Sequence, residues 1–179
     1  MNLSNLSIGL GLGMAALNVG GLVKPGPFAA AVRKFPRSLP LGYVLMLLGT
    51  AWFTWNVRSE SLADFEGIKP YLYILFISVG VGTCVFVQDF LAARGLAVVL
   101  LLLAKLMLDT ERWAESNWRE VIAVWAYLMI VAGIWFTVSP WRLRDFLNWN
   151  TANKTRMRAG CALRTAFGLF VAVLGFKVF

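Results

Sequence analysis

Four charged residues beside apolar segments are the side chains whose type and position could do chemistry: Asp89, Arg94, Asp145 and Arg164. A carboxylate at a membrane surface could act as an acid or base, and a nearby guanidinium could hold a phosphate through paired hydrogen bonds. This pattern would suit an enzyme that acts on lipid, with Arg142 or Arg144 as a further phosphate ligand. The alternative is a solvated layer of charge at the edge of a membrane, which the sequence favours for each of these residues.

The sequence offers few other groups for catalysis or metal binding. It contains no histidine, which removes the commonest general base and transition-metal ligand. Its two cysteines, Cys84 and Cys161, fall near the predicted cytoplasmic ends of apolar segments, where thiols stay reduced. Two thiols do not complete a four-ligand zinc site. We therefore predict no catalytic residue, no cofactor and no metal, and we favour a protein that is not an enzyme.

Six apolar segments, each about as long as a bilayer is thick, occupy most of the 179 residues. They lie at 6–23, 41–57, 70–87, 90–108, 121–139 and 161–176. A hydrocarbon core needs about 20 helical residues to span it, and in lipid every backbone amide must be paired within the protein. The segments lack the alternation of barrel strands. The sequence therefore predicts an all-α fold, a bundle of six transmembrane helices forming a single integral membrane domain over 1–179.

The distribution of basic residues predicts the orientation of these spans. The net charge is +8, and most Lys and Arg lie in loop 1 (24–40) and loop 5 (140–160). Cytoplasmic loops carry the excess of positive charge, so both termini are expected outside a bacterial cytoplasmic membrane. Loops 1 and 5 would then face anionic headgroups. Because the basic residues flank apolar spans and form no continuous basic face, nucleic acid is not expected as a partner.

Both basic loops contain sequence that favours a short helix lying in the membrane interface. In loop 1 a helix over about 28–35 fits between prolines and would carry Arg33 and Lys34 towards anionic lipid. Loop 5 begins Ser139-Pro140, a good N-cap followed by a good first helical residue. After it, the run WRLRDFLNW mixes five apolar residues with three charged ones: Trp141, Leu143, Phe146, Leu147 and Trp149 with Arg142, Arg144 and Asp145.

Small residues recur at helical spacing on the first and last segments. The first segment carries Gly9, Gly13, Ala16 and Gly20, and the last carries Gly168, Ala172 and Gly175. Because lipid supplies no hydrophobic drive for helix association, such stripes indicate close packing against another helix, in this chain or on a partner. Arg164 lies on the last segment, where it could snorkel to the interface, pair with Asp89 or Asp145, or bind a substrate.

The second and fifth segments share a short pattern. Tyr43–Thr54 reads YVLMLLGTAWFT and Tyr127–Thr137 reads YLMIVAGIWFT. The two segments would run in opposite directions, as in a 3+3 inverted repeat, and coincidence between apolar helices is the alternative. The stretch Gly133–Trp141, GIWFTVSPW, resembles the Ser-Pro-Trp signature of a small group of repeat-bearing membrane proteins, and this resemblance implies no activity.

These observations favour a non-enzymatic integral membrane protein, a subunit, scaffold or assembly factor of a membrane complex. Its partners would be the bilayer, other membrane subunits or a second copy of itself. The alternative is a small transporter or channel built on the inverted repeat. Its polar path would be lined by Thr50, Thr54, Ser78, Thr83, Gln88 and Thr137.

Overall fold

The computed structural model describes residues 2–60, 67–113 and 116–179, and these ranges contain helices and no strand. In chain order the α-helices are α1 (Leu3–Val23), α2 (Pro25–Lys34), α3 (Leu39–Ser59), α4 (Lys69–Phe86), α5 (Leu91–Glu111), α6 (Arg119–Val138), α7 (Trp141–Thr151) and α8 (Lys154–Lys177). A 3₁₀ turn at Phe35–Arg37 follows α2. The expected all-α fold is confirmed.

Within the described ranges, five helices are long and apolar enough to cross a bilayer: α1, α4, α5, α6 and α8. The sixth expected segment, 41–57, falls on α3, whose tyrosine, tryptophans and threonines lower its mean hydropathy. It passes the same test only together with the preceding α2 and 3₁₀ turn, as a pair bent by 63°. Length and composition therefore support an integral membrane protein with five or six spans.

Helices also occupy both basic loops. Pro25 begins α2, a position where its missing N–H costs no helical hydrogen bond. Arg33 and Lys34 lie in the last turn of α2, where cations interact favourably with the exposed helix carbonyls. In loop 5, α7 begins at Trp141, one residue after the expected first position, Pro140.

Contacts group the chain into two compact units. The first comprises Met1–Lys34, Leu103–Val131 and Arg144–Phe179, and the second comprises Phe35–Leu102 and Ala132–Leu143. Helices α5 and α6 each contribute one part to the first unit and the other part to the second. Each unit has its own cluster of buried apolar side chains.

The first unit is built on a close antiparallel contact between α1 and α8. The Ser4 hydroxyl, near the start of α1, donates to the Gly175 carbonyl near the end of α8 at 2.7 Å. At the other end of α1, a Cβ added to Gly21 would meet the Cys161 sulfur. The start of α1 and the end of α8 therefore lie at the same end of this unit. Parts of α5 and α6 complete its core, which comprises Leu3, Leu6, Ala104, Met107, Ile122, Trp125, Ala126 and Val171.

In the second unit, α3 packs against α4 and α5. A Cβ added to Gly80 of α4 would meet the Thr50 side chain, and one added to Gly95 of α5 would lie 2.9 Å from the Met46 backbone nitrogen. Glycine at these points lets the helices approach more closely than a side chain would allow. Beside this contact the Phe53 and Phe76 rings meet edge to face at 4.6 Å.

Candidate functional site

The small residues expected on α8 lie in its contact with α1. A Cβ added to Gly168 would lie 2.6 Å from the Gly11 carbonyl oxygen, and one added to Gly175 would lie 2.9 Å from the Ser4 carbonyl oxygen. Ala172 is buried, and its Cβ lies 3.0 Å from the position that a Cβ on Gly11 would take. These three positions let the two helix backbones touch.

The small residues expected on α1 lie on a different side of that helix. Gly9 and Gly13 have no heavy atom within 4 Å of an added Cβ, and Ala16 is exposed. At about 100° per residue, these three lie opposite Gly11, which contacts α8. Gly20 is covered instead by the Phe28 ring of α2, 3.2 Å from an added Cβ. Helix α1 therefore has one small-residue side packed against α8 and another, the outward face (Gly9, Gly13, Ala16), that is open.

Asp89 and Arg94 flank the turn between α4 and α5. Asp89 is exposed, whereas Arg94 lies half-buried in the first turn of α5. The Arg94 Nε is buried and has no hydrogen-bond partner among the described residues. No ion pair joins Asp89 to Arg94 in the described ranges, so the turn does not assemble a carboxylate–guanidinium pair.

Phe90, between these two residues, adopts a backbone conformation that bulky side chains rarely take. Its φ is 55°, in the left-handed region. Its side chain is buried, and the Arg37 guanidinium lies 5.6 Å from the ring centroid. The Phe90 carbonyl accepts hydrogen bonds from the Ala93 and Arg94 amides at 2.9 and 3.1 Å. The strained residue therefore serves as the starting point of α5.

Asp145 and Arg164 are not brought together as an ion pair in the described part of the first unit. Asp145 accepts two hydrogen bonds from its neighbour Arg144, at 2.9 and 2.8 Å, on the surface of α7. The exposed Arg144–Asp145 pair contributes little to stability. Arg164 lies half-buried further along α8. Within the described residues, no three Cys, Asp or Glu side chains form a group that could hold a metal ion.

Two arginines that the sequence did not single out as site residues tie the loop helices to the first unit. Arg33 of α2 donates from Nε and Nη2 to the Thr151 hydroxyl and carbonyl of α7, at 2.8 and 2.7 Å. Arg156 of α8 stacks 4.5 Å over the Trp149 ring and donates to the Trp149 carbonyl at 3.2 Å. These contacts gather cations from both loops into one region, the basic end. Its members include Lys24, Arg33, Lys34, Arg144, Lys154, Arg156 and Arg158.

The Arg33 contact predicts a local effect on α2. Arg33→Ala would remove the charged hydrogen bond that anchors α2 to the carbonyl of buried Thr151, at a cost of about 1 kcal/mol. Because α2 would then open more often, its amide hydrogen exchange should become about fivefold faster. Mass spectrometry of peptides from α2 measures this rate. Lys34→Ala, which removes the neighbouring exposed cation, should leave the rate unchanged. Equal rates in the two variants would contradict a specific Arg33–Thr151 anchor.

A groove of about 660 Å³ lies beside the contact between α3 and α4. Its lining is mainly aliphatic and aromatic, and comprises Leu47, Thr50, Ala51, Thr54, Trp55, Arg58, Tyr73, Ile77 and Val81. The Thr50 and Thr54 hydroxyls donate to carbonyls of their own helix at 2.8 Å. Thr83 and Thr137 do the same at 2.7 and 2.8 Å. Four of the hydroxyls considered for a polar path are therefore bonded to backbone, as is common for such residues in membrane helices.

The matching patterns of α3 and α6 share one packing feature in the second unit. A Cβ added to Gly49 would lie 2.8 Å from Val98 Cγ1, and one added to Gly133 would lie 2.8 Å from Leu101 Cγ. Both glycines therefore face α5.

Comparison of the chain with protein-family models, with curated proteins and with solved structures finds no match.

Proposed function

We propose that this chain is a non-enzymatic subunit or assembly factor of a membrane complex, and that it docks a partner helix on the outward face of α1. The observation that carries the proposal is the open space at Gly9 and Gly13. They are one helical turn apart, the spacing at which small residues let two membrane helices make backbone contact. On the other side of the same helix, Gly11 already supports such a contact with α8.

The surroundings of the outward face suit a helix as the occupant. Leu12 and Leu17, which flank the small residues, are 46% and 75% exposed. Exposed leucines beside a shallow strip of small residues form ridges and a groove into which a partner helix can pack. In lipid the gain comes from this packing, because acyl chains are as apolar as leucine.

The proposal includes a setting in the bilayer. The chain would cross a bacterial cytoplasmic membrane six times, with α3 as the sixth span, both termini outside, and α2 and α7 in the cytoplasmic interface. Two contacts support this orientation. Ser4 bonds to Gly175, which brings the outer ends of α1 and α8 together. Arg33 bonds to Thr151, which gathers the basic loops.

A transport function has less support from the geometry. The groove beside α3 and α4 has Thr50 and Thr54 in its lining, but both hydroxyls are already used by the backbone. A lipid-directed enzyme has less support too, because Asp145 pairs with its neighbour Arg144 on the surface.

The docking proposal predicts a change in assembly on a double substitution. The tagged chain, extracted from its native membrane in mild detergent, should elute from size-exclusion chromatography with a protein mass, measured by light scattering and corrected for bound detergent, above the 19.9 kDa of the monomer. Gly9→Leu combined with Gly13→Leu should reduce the assembled fraction at least tenfold, because two leucines would hold the partner backbone away. Mass spectrometry of the wild-type peak distinguishes a second copy from another subunit.

The matched control is Gly82→Leu on α4, where the nearest atom to an added Cβ is 4.0 Å away in the same helix. It should leave the assembled fraction unchanged. A wild-type chain that elutes alone as a monomer would overturn the proposal. So would a double variant that folds and assembles as the wild type does.

A further inference from the structure

A second groove, of about 400 Å³, lies at the basic end of the first unit. It is lined by one residue from the end of α1 and five from the start of α8: Leu22, Lys154, Thr155, Arg158, Ala159 and Ala162. We propose that this groove binds one anionic phospholipid, with the phosphodiester on Lys154 and Arg158 and an acyl chain along Leu22 and the alanines. The inference goes beyond the docking of a partner on α1 and shares with it only the setting in a bilayer.

The groove presents two uncompensated cations. Lys154 and Arg158 are four residues apart on α8, so their charged groups can face one phosphate. No hydrogen bond or ion pair joins either side chain to another residue in the described part of the chain. The positive end of the α8 helix dipole adds to their field. A phosphodiester is therefore the complementary group, and the guanidinium can hold two of its oxygens.

Three neighbouring cations of the basic end, Arg33, Arg144 and Arg156, already have bonding partners within the unit. Arg156 stacks on the Trp149 ring, and Arg33 donates both its bonds to Thr151. The Asp145 carboxylate accepts from Arg144. Within the described residues of the basic end, no carboxylate competes with a ligand for Lys154 and Arg158.

The other side of the groove is apolar, and this selects a lipid over a simple anion. Ala159 and Ala162 follow the cations along α8, towards its apolar length, and Leu22 comes from the last turn of α1. A free phosphate or an acidic peptide would match the cations and leave this apolar surface uncovered. An anionic phospholipid matches both, with its headgroup at the charged turn and its chain towards the hydrocarbon core.

Binding can be measured on the full chain, purified alone and delipidated in a neutral detergent, by native mass spectrometry with added phosphatidylglycerol. Lys154→Gln combined with Arg158→Gln should weaken the first bound lipid about tenfold, since each cation near a headgroup contributes substantially to binding. Lys34→Gln combined with Arg142→Gln removes the same two charge types outside the groove and should change the affinity less than twofold. Equal losses in the two double variants would overturn the proposal, because binding would then follow the overall charge.

Two further arms test the phosphate and apolar parts. Ala162→Phe should fill the groove and weaken phosphatidylglycerol binding at least fivefold, whereas Ala166→Phe, at an exposed position outside the groove, should not. Phosphatidylcholine should bind at least tenfold more weakly than phosphatidylglycerol, and millimolar inorganic phosphate should not displace the lipid. Equal binding of the two lipids, or displacement by phosphate, would overturn the proposal. Because the chain is tested alone, the result does not depend on whether α1 docks a partner.

Discussion

Gly168→Leu is expected to destabilise the folded chain by about 3 kcal/mol or more, or to prevent its recovery in folded form. Gly168 faces the Gly11 carbonyl oxygen. A Cβ added to Gly168 would lie 3.0 Å from the Ala15 backbone nitrogen. The atoms in the way are backbone of a long helix, which cannot rotate aside as a side chain would. Inserting four carbons there must therefore separate α1 from α8. Unfolding in mixed micelles by a titration with sodium dodecyl sulfate, followed by circular dichroism, measures the loss.

The control for this substitution is Gly13→Leu, which places the same side chain on a membrane helix where no atom lies within 4 Å of the added Cβ. We expect its free energy of unfolding, measured on the isolated chain, to change by about 0.5 kcal/mol or less. A similar loss in both variants would show that glycine matters for helix flexibility and not for the contact. A neutral Gly168→Leu would refute the close packing of α1 on α8.

Trp125→Ala is expected to lower the free energy of unfolding by about 3 kcal/mol. Trp125 is 8% exposed in the core of the first unit, and its ring meets the Phe167 ring edge to face at 5.3 Å and 89°. In lipid the unfolded chain also keeps its indole out of water, so the transfer contribution is small. The loss comes from the cavity and from the missing ring contact. The same titration measures it.

Trp113→Ala provides the comparison, because this tryptophan is 84% exposed and its removal leaves no cavity. Trp113→Ala should leave the midpoint of the sodium dodecyl sulfate unfolding curve unchanged. Trp125→Phe should recover about half of the loss, since a smaller ring still reaches Phe167. If the two alanine variants lose the same stability, Trp125 acts as an interfacial anchor and not as a core residue.

The helices of this chain follow from local sequence. Apolar runs of membrane length match α1, α4, α5 and α6 within three residues at each end, because in lipid their backbones can satisfy themselves only as helices. Helix α8 begins at Lys154, seven residues before the expected apolar segment 161–176, so the polar stretch before that segment is helical too. The bounds of α3 also agree with the expected segment within two residues, but aromatic and hydroxyl residues reduce its apolar character, and it passes the membrane-span test only together with α2. The length of an apolar run predicts the length of the helix, but not which residues of that helix contact its neighbours.

Only the tertiary structure determines which residues of a helix contact another helix. Glycine stands at positions 9, 11 and 13, so the spacing supports a small-residue stripe on either side of α1. The side bearing Gly11 packs because Gly168 and Gly175 of α8, over 150 residues away, are there to meet it. The Arg33–Thr151 bond joins residues 118 apart. Spacing along one helix carries no information about its neighbours, whereas a close contact depends on the shape and hydrogen-bonding groups of both surfaces.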